Sequence, residues 1–523
     1  MSIDRGTYPI PQETASVIDL FEEMTEIPRP SGNEDGIRNW LVAFALENRF
    51  EANIDVRGNM TINVPASPGR EDLPSVILQG HMDMVTIPGT NDTKPTKAHI
   101  DEEGWLRSDG TTTLGADNGI GVASALAIAK DENFEHGPFT ILVTVNEEAP
   151  PMGITQLDPG IVPADSMFWV NLDSEEGAGL ICRGCAASCD IKGVLEIGER
   201  ENLPDVYRVV EIKLSGLKGG HSGIEIHEKR GNAVQLLADW LLAADALMKS
   251  RYVNGNGLKL IDFNGGVKRN AIPSSACCTV AVPSELYEAF CHIITDIYPK
   301  STKSKGVLNA LSPENADKLS IEIKELPSGD VKAISDNVRT QALRTMALIE
   351  NGVYEQVPDN SGITHGVLLS SNIGVAGISS RESGEEAFSL VSMVRGAKIE
   401  SLKRKVSELK AAIGYHLGDN VTSGDAGGAW LEDLESPAVQ AAVRAATAAG
   451  LDPKIFAYHA GLECARGNDV LEAAGRRRLP SVSVGPLLKG VHSQDERVSV
   501  QSVDETLRFI KELMAEMWNS ADA

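Results

Sequence analysis

Apolar residues recur at helical spacing in two early segments, SVIDLFEEMTEI (16–27) and GIRNWLVAFALENRF (36–50), on either side of a break at IPRPSGNE. Short strands are expected next. EANIDVRGNMTINVPA reads as a hairpin turning at RGN, and PSVILQGH as an apolar strand. GIGVASALAIAK (119–130) reads as a small-residue helix packed closely on a sheet. FTILVTVNEEAP and SMFWVNLDSEE are again apolar strands, and both end in carboxylates. Strands alternating with helices imply an α/β layer with a largely parallel sheet, whose site lies at the carboxyl ends of the strands.

The pattern changes from about residue 190. CDIKGVLEI, YRVVEIKLSGL, LKLIDFNGG and SACCTVAVP alternate as half-buried strands and flank the helical NAVQLLADWLLAADALMKS. This is an α+β pattern, expected to form a second domain inserted in the first. GAKIESLKRKVSELKAAIGYHL (396–417) is an amphipathic helix, after which mixed α/β patterning returns. The expected division is 1–188 and 395–523 for one domain and 189–394 for the insert. No internal repeat or low-complexity tract interrupts it.

With 523 residues, 42% of them hydrophobic and 23% charged, the chain has the composition of a globular protein too long for a single core. The formal net charge of -26 argues against nucleic acid and anionic membrane as partners, since both need a basic face. The chain does not open on a basic segment followed by an apolar run, and no stretch approaches the roughly 18 apolar residues of a membrane span. The expected compartment is the cytosol, where the Asn91 glycosylation pattern has no meaning. The seven cysteines are too sparse for a disulfide framework. Cys182 and Cys185 form a C-x-x-C without the second pair that a structural zinc site needs.

The chemistry is concentrated where strands end. His81 and Asp83 follow SVILQG, and residues two apart in an extended segment point the same way. Asp117 stands in LGADNGIG, Glu147 and Glu148 in VTVNEEAP, Asp173 in WVNLDSEE, and His492 in VGPLLKGVHSQDE. Singly, each has a plain structural explanation: a satisfied polar strand end, a solvated Glu pair, turn chemistry at ADNG. Together, several carboxylates in one crevice would repel strongly unless a cation sits among them. Two imidazoles and three or more carboxylates suit Zn²⁺, Co²⁺ or Mn²⁺. They outnumber the needs of one tetrahedral ion, and fit two ions about 3.5 Å apart, bridged by a carboxylate and a water.

GHMDMV, LGADNGIG, NEEAP, NLDSEE, GGHSGIEIHEKRGNA, GGVKRNAIP, HAGLEC and VHSQDER occur in this order along nearly the whole chain. The set resembles the di-zinc peptidases that include aminoacylases, glutamate-releasing carboxypeptidases and cytosolic dipeptidases. Within them it is most similar to the aminoacyl-histidine (Xaa-His), or cytosol non-specific, dipeptidases. The resemblance implies a zinc-peptidase-like mixed sheet flanked by helices, with the insert serving as lid and dimerisation domain of a homodimer. It implies His81 and Asp173 on one zinc, Glu148 and His492 on the other, and Asp117 bridging both through a cis Asp117–Asn118 peptide. Asp83 would orient His81, and Glu147 would be the general base. His221 would stabilise the oxyanion, from its own or a partner subunit. Asn270 and Arg395 would contact the substrate backbone or carboxylate, and Glu463 would shape the substrate-terminal pocket, while His459 could equally belong to a core.

The implied reaction is hydrolysis of unblocked dipeptides, Xaa-His and carnosine-like ones among them. The alternatives are an N-acyl amino acid deacylase or carboxypeptidase of the same superfamily, a non-catalytic metal-binding protein, or an unrelated di-metal aminopeptidase. GGHSG and RNAIP speak against the last.

Overall fold

The computed structural model describes residues 3–251, 257–297, 318–327, 329–357 and 366–521. Its organising element is a nine-stranded mixed sheet. Four strands at its centre, Phe139–Thr144, Val76–His81, Phe168–Asn171 and Ser481–Ser483, run parallel. The strands toward both edges add antiparallel pairs. The central strands are buried throughout because both faces are covered, and their sequences are accordingly rich in Val, Ile, Leu and aromatic residues. Leu78, Ile141, Val170 and Val482 face one core with the helices Gln12–Thr25, Ala116–Ala129, Pro437–Ala448 and Val500–Ala521. Ile77, Leu142 and Trp169 face the other core, with the helix Glu463–Ala473. Phe509 is one of the wholly buried residues of the final long helix, and Phe509→Ala at such a site costs about 3–5 kcal/mol.

The strand register aligns the ends that matter. His81 lies level with Thr144, and Gln79 level with Asn171. The ladder runs on past the strands, with Met82 N–H donating to Thr144 O and Leu172 N–H to Gln79 O, both at 2.8 Å. Asp83, Glu147 and Asp173 therefore emerge together at one rim. The Ala116–Ala129 helix packs against this rim through small residues. A Cβ on Gly121 would come within 2.7 Å of Leu172 O, so only glycine permits the approach.

A second nine-stranded sheet is antiparallel throughout. Its core includes residues of the helices Ala233–Arg251 and Asp336–Leu348. It also includes Leu402, Val406, Leu409, Ile413 and Leu417 of the helix Ile399–Leu417, and the Val421–Ser423 strand pairs with the Ala187–Glu196 strand. The second layer thus begins at about residue 187 and continues to Ser423, beyond the expected boundary at 394. Among the described residues, no helix is long and apolar enough to cross a membrane.

Candidate active site

Asp117 is the centre of the rim. Its Oδ1 lies 3.0 Å from His81 Nε2, and its Oδ2 lies 2.9 Å from His492 Nε2. On the first side Asp173 Oδ1 is 3.8 Å from the same His81 nitrogen. On the second, Glu148 Oε1 is 2.9 Å from the same His492 nitrogen. The ligand atoms of His81, Asp117 and Glu148 lie within 4.8 Å of one another, as do those of Asp117, Asp173 and Glu175, with Asp117 common to both groups. The Asp117–Asn118 peptide is cis. Asn118 Nδ2 donates to Asp173 Oδ1 at 2.8 Å and to Leu172 O at 2.7 Å, fixing one carboxylate against the other.

Asp83 does more than face His81. His81 Nδ1 is turned to the Asp83 carbonyl at 3.1 Å and its carboxylate at 3.4 Å, which leaves Nε2 directed at the carboxylates. That is the orientation of a ligand imidazole, with its second nitrogen donating away from the cation. The Asp83 carboxylate also accepts the backbone N–H groups of Glu147 (3.0 Å) and Glu148 (3.2 Å) and the hydroxyl of Ser31 (2.7 Å).

The electrostatics are those of a cation site. Burial, joined by the charge of Asp117, pushes the carboxyls of Asp173 and Glu175 well above the usual range. Burial, with Glu463, Glu148 and Asp117 adding to it, pushes Glu147 up to about 8. Among the described residues, no lysine or arginine forms an ion pair with any of these groups. Buried carboxylates gathered around two imidazoles, with no lysine or arginine paired to them among the described residues, fit a hard or borderline divalent cation.

The remaining expected residues fall into two places. Glu463 is wholly buried. Its Oε2 accepts from Gln79 Nε2 at 2.6 Å and from Thr144 Oγ1 at 2.5 Å, so it lies behind the strands with no surface of its own. His221, Asn270 and Arg395 gather in the second layer. Arg395 Nη2 is 3.3 Å from His221 Nε2, and Ser222 N–H donates to Asn270 O at 2.9 Å. Burial and the neighbouring Arg395 lower His221 to about 4. Among the described residues no hydrogen bond or ion pair joins this group to the candidate ligands at the rim. His459 is buried between the layers, 2.7 Å from Ser370 Oγ.

The sequence had not singled out Arg29, Ser31, Glu34, Glu175 or Glu496. Glu34 accepts the N–H groups of Gly32 (2.8 Å) and Asn146 (3.1 Å), tying the IPRPSGNE break to the strand end that carries Glu147. The signal for Glu175 was present in NLDSEE itself.

Residues 77–516 match the model of peptidase family M20/M25/M40. The chain belongs to this family. It is 34% identical over 508 residues to the cytosol non-specific dipeptidase of Escherichia coli (strain K12), covering 95% of this chain and 97% of the relative. The aminoacylhistidine dipeptidase of Vibrio alginolyticus superposes with a TM-score of 0.79 at 29% identity, over 96% of both chains. A tripeptidase from Staphylococcus aureus shares the fold, with a TM-score of 0.58 at 15% identity, over 98% of this chain and 99% of the other. The protein is a peptide hydrolase of the M20 family, and its mixed sheet and antiparallel second layer are the fold of that family's dipeptidases.

Proposed function

We propose that the protein is a metal-dependent dipeptidase acting on free dipeptides, those with C-terminal histidine among them. The observation that carries this reading is the arrangement about Asp117: His81, with Asp173 beside it, meets one of its oxygens, and His492, with Glu148 beside it, meets the other. These five residues would hold two divalent ions, Zn²⁺ in the first place, with Co²⁺ or Mn²⁺ as substitutes. Such ions, when bound, acidify water and polarise a peptide carbonyl.

The chain's own residues supply the rest. Glu147 is held by its backbone beside Glu148 and carries a carboxyl that is not needed as a ligand. It takes the proton of the attacking water and returns it to the nitrogen of the leaving amine as the C–N bond breaks. Asp83 holds His81 and the Glu147–Glu148 backbone in one register. His221, with Arg395 and Asn270, is a second polar group in the other layer and lacks a direct bond to the rim. It suits an oxyanion and a substrate carboxylate presented between the layers, in a homodimer built through the second layer. Glu463 supports the Glu147 strand from behind. The family relationship to a cytosolic dipeptidase supports a cytoplasmic enzyme.

Hydrolysis of β-Ala-His, Gly-His, Leu-Leu and N-acetyl amino acids is compared with added Zn²⁺, Co²⁺ or Mn²⁺ and with a chelator. Chelator-sensitive cleavage of free dipeptides is expected. Cleavage of the acetylated set alone would overturn the dipeptidase in favour of a deacylase.

A further inference from the structure

Two buried charged residues behind the ligands have no place in the chemistry above. Glu496 is 2% exposed, and its carboxylate accepts four consecutive backbone N–H groups: Leu114 (2.8 Å), Gly115 (3.1 Å), Ala116 (2.8 Å) and Asp117 (3.2 Å). This run is not regular helix, since Gly115 has φ +74° and Asp117 and Asn118 depart from helical angles. Its amides converge as an anion-binding concavity whose occupant is a side chain of the same protein. Arg29 is 1% exposed and donates to three carbonyls: Met82 (3.0 Å), Asp83 (3.1 Å) and Gly115 (2.6 Å).

The two residues bind opposite poles of the same loop. Arg29 takes the Gly115 carbonyl and joins the loop to the strand exit that carries His81. Glu496 takes the loop's amides and joins it to the segment that carries His492, four residues earlier in the chain. Asp117 sits at the end of that loop, between the two imidazoles. Its neighbours on both sides are thus set by one guanidinium and one carboxylate that never face the substrate.

A buried carboxylate on a run of amides can serve the fold alone, and what sets Glu496 apart is its place behind Asp117 and the other carboxylates of the rim. Water or carbonyl oxygens could satisfy four amides without placing another negative charge behind a cluster already rich in carboxylates. The four amides and Arg29 offset that charge, and cations at the rim would offset it further.

We propose that Glu496 and Arg29 are positioning residues for the metal ligands: Glu496 sets Asp117 against His492, and Arg29 sets Asp117 against His81. This rests on the metal-peptidase reading above. The expected consequence is an effect on metal affinity and kcat, with KM little changed, because neither residue meets substrate.

The test uses the full chain, stripped by chelator and titrated with Zn²⁺ by calorimetry and with Co²⁺ by visible absorption, with kcat and KM measured after reloading. Glu496→Gln keeps the volume and loses the charge. Arg29→Lys keeps the charge and cannot span three carbonyls. Each is expected to weaken metal binding about 10–100-fold and to alter the Co²⁺ spectrum. Glu496→Asp, charged but shorter, recovers part of the affinity, and it remains informative if the glutamine variant fails to fold. The control is Asp55→Asn. Asp55 is also buried and also accepts a run of backbone N–H groups, from Arg57, Gly58 and Asn59, but it holds a turn and touches no ligand. It should lower the melting temperature and leave the Co²⁺ spectrum alone. The proposal is overturned if the Glu496 and Arg29 variants change only melting temperature, as the control does, with wild-type metal affinity and spectrum. If wild-type protein binds no divalent ion, the metal-peptidase reading itself fails, and the proposal with it.

Discussion

The Asp83 carboxylate accepts the backbone N–H of Glu147 at 3.0 Å while facing Nδ1 of His81 at 3.4 Å. One side chain thereby couples a metal-ligand candidate to the neighbour that would move the proton. Asp83→Asn keeps the shape but loses the charge and half of the acceptor capacity. It is expected to lower kcat/KM about 10–100-fold, with a parallel loss of metal affinity. Steady-state kinetics and metal analysis check this, and unchanged values in both would remove Asp83 from the site.

Glu147→Gln separates proton transfer from metal binding. Turnover should fall by about 10²–10⁴-fold while metal content stays at the wild-type level. Loss of metal together with activity would make Glu147 a ligand rather than a base.

Asp117→Ala should act on both sides of the site. Among the described residues Asp117 has the only side chain hydrogen-bonded to both imidazoles, so metal content should drop more than for Asp173→Ala. Elemental analysis after dialysis decides. Full retention of metal in Asp117→Ala would sink the bridging assignment.

His221→Ala should lower kcat without changing metal content, since the imidazole contacts Arg395 and its own loop rather than the rim. An effect on neither would leave His221 without a part in the reaction.

His459 gives a pH prediction away from the ligands. Burial, with the nearby charge of Arg395, lowers its pKa to about 3, whereas an unfolded imidazole titrates near 6.5. Between these values the unfolded chain holds the extra proton, so stability is complete above about pH 6.5 and falls as pH drops toward 3. The slope for one group approaches about 1.4 kcal/mol per pH unit. In chelator-treated protein, His459→Phe should flatten urea-unfolding stability against pH between 4 and 6. Equal slopes would show that His459 is not buried neutral.

The strand ends were legible because a fully buried parallel strand is an uninterrupted apolar run, and a polar residue where it stops stands out. His81, Glu148 and Asp173 stand out in this way, whereas Asp117 opens the helix Ala116–Ala129 and His492 lies beyond the short antiparallel strand Leu488–Lys489. Arg29, Ser31 and Glu34 do not stand out, because IPRPSGNE has the composition of any loop and its bonds run to residues more than fifty positions away. Glu496 in HSQDER reads as a solvated charge, and only the fold shows that it is buried in four amides. The helix Ile399–Leu417 marks a different limit. Its periodicity declares an apolar face without naming the core that receives it, and that core proved to be the second one.

The two imidazoles come from positions 81 and 492, and the Thr14 hydroxyl meets Asp504 at 2.9 Å across the outermost helices. A chain emerging from the ribosome therefore has four of the five candidate ligands by residue 173 and waits for the fifth until residue 492. His492 follows the strand Ser481–Ser483, which pairs with Phe168–Asn171 at the centre of the sheet. The candidate site is thus the product of the whole chain's closure, and a product ending before His492 would lack one of the two imidazoles that meet Asp117.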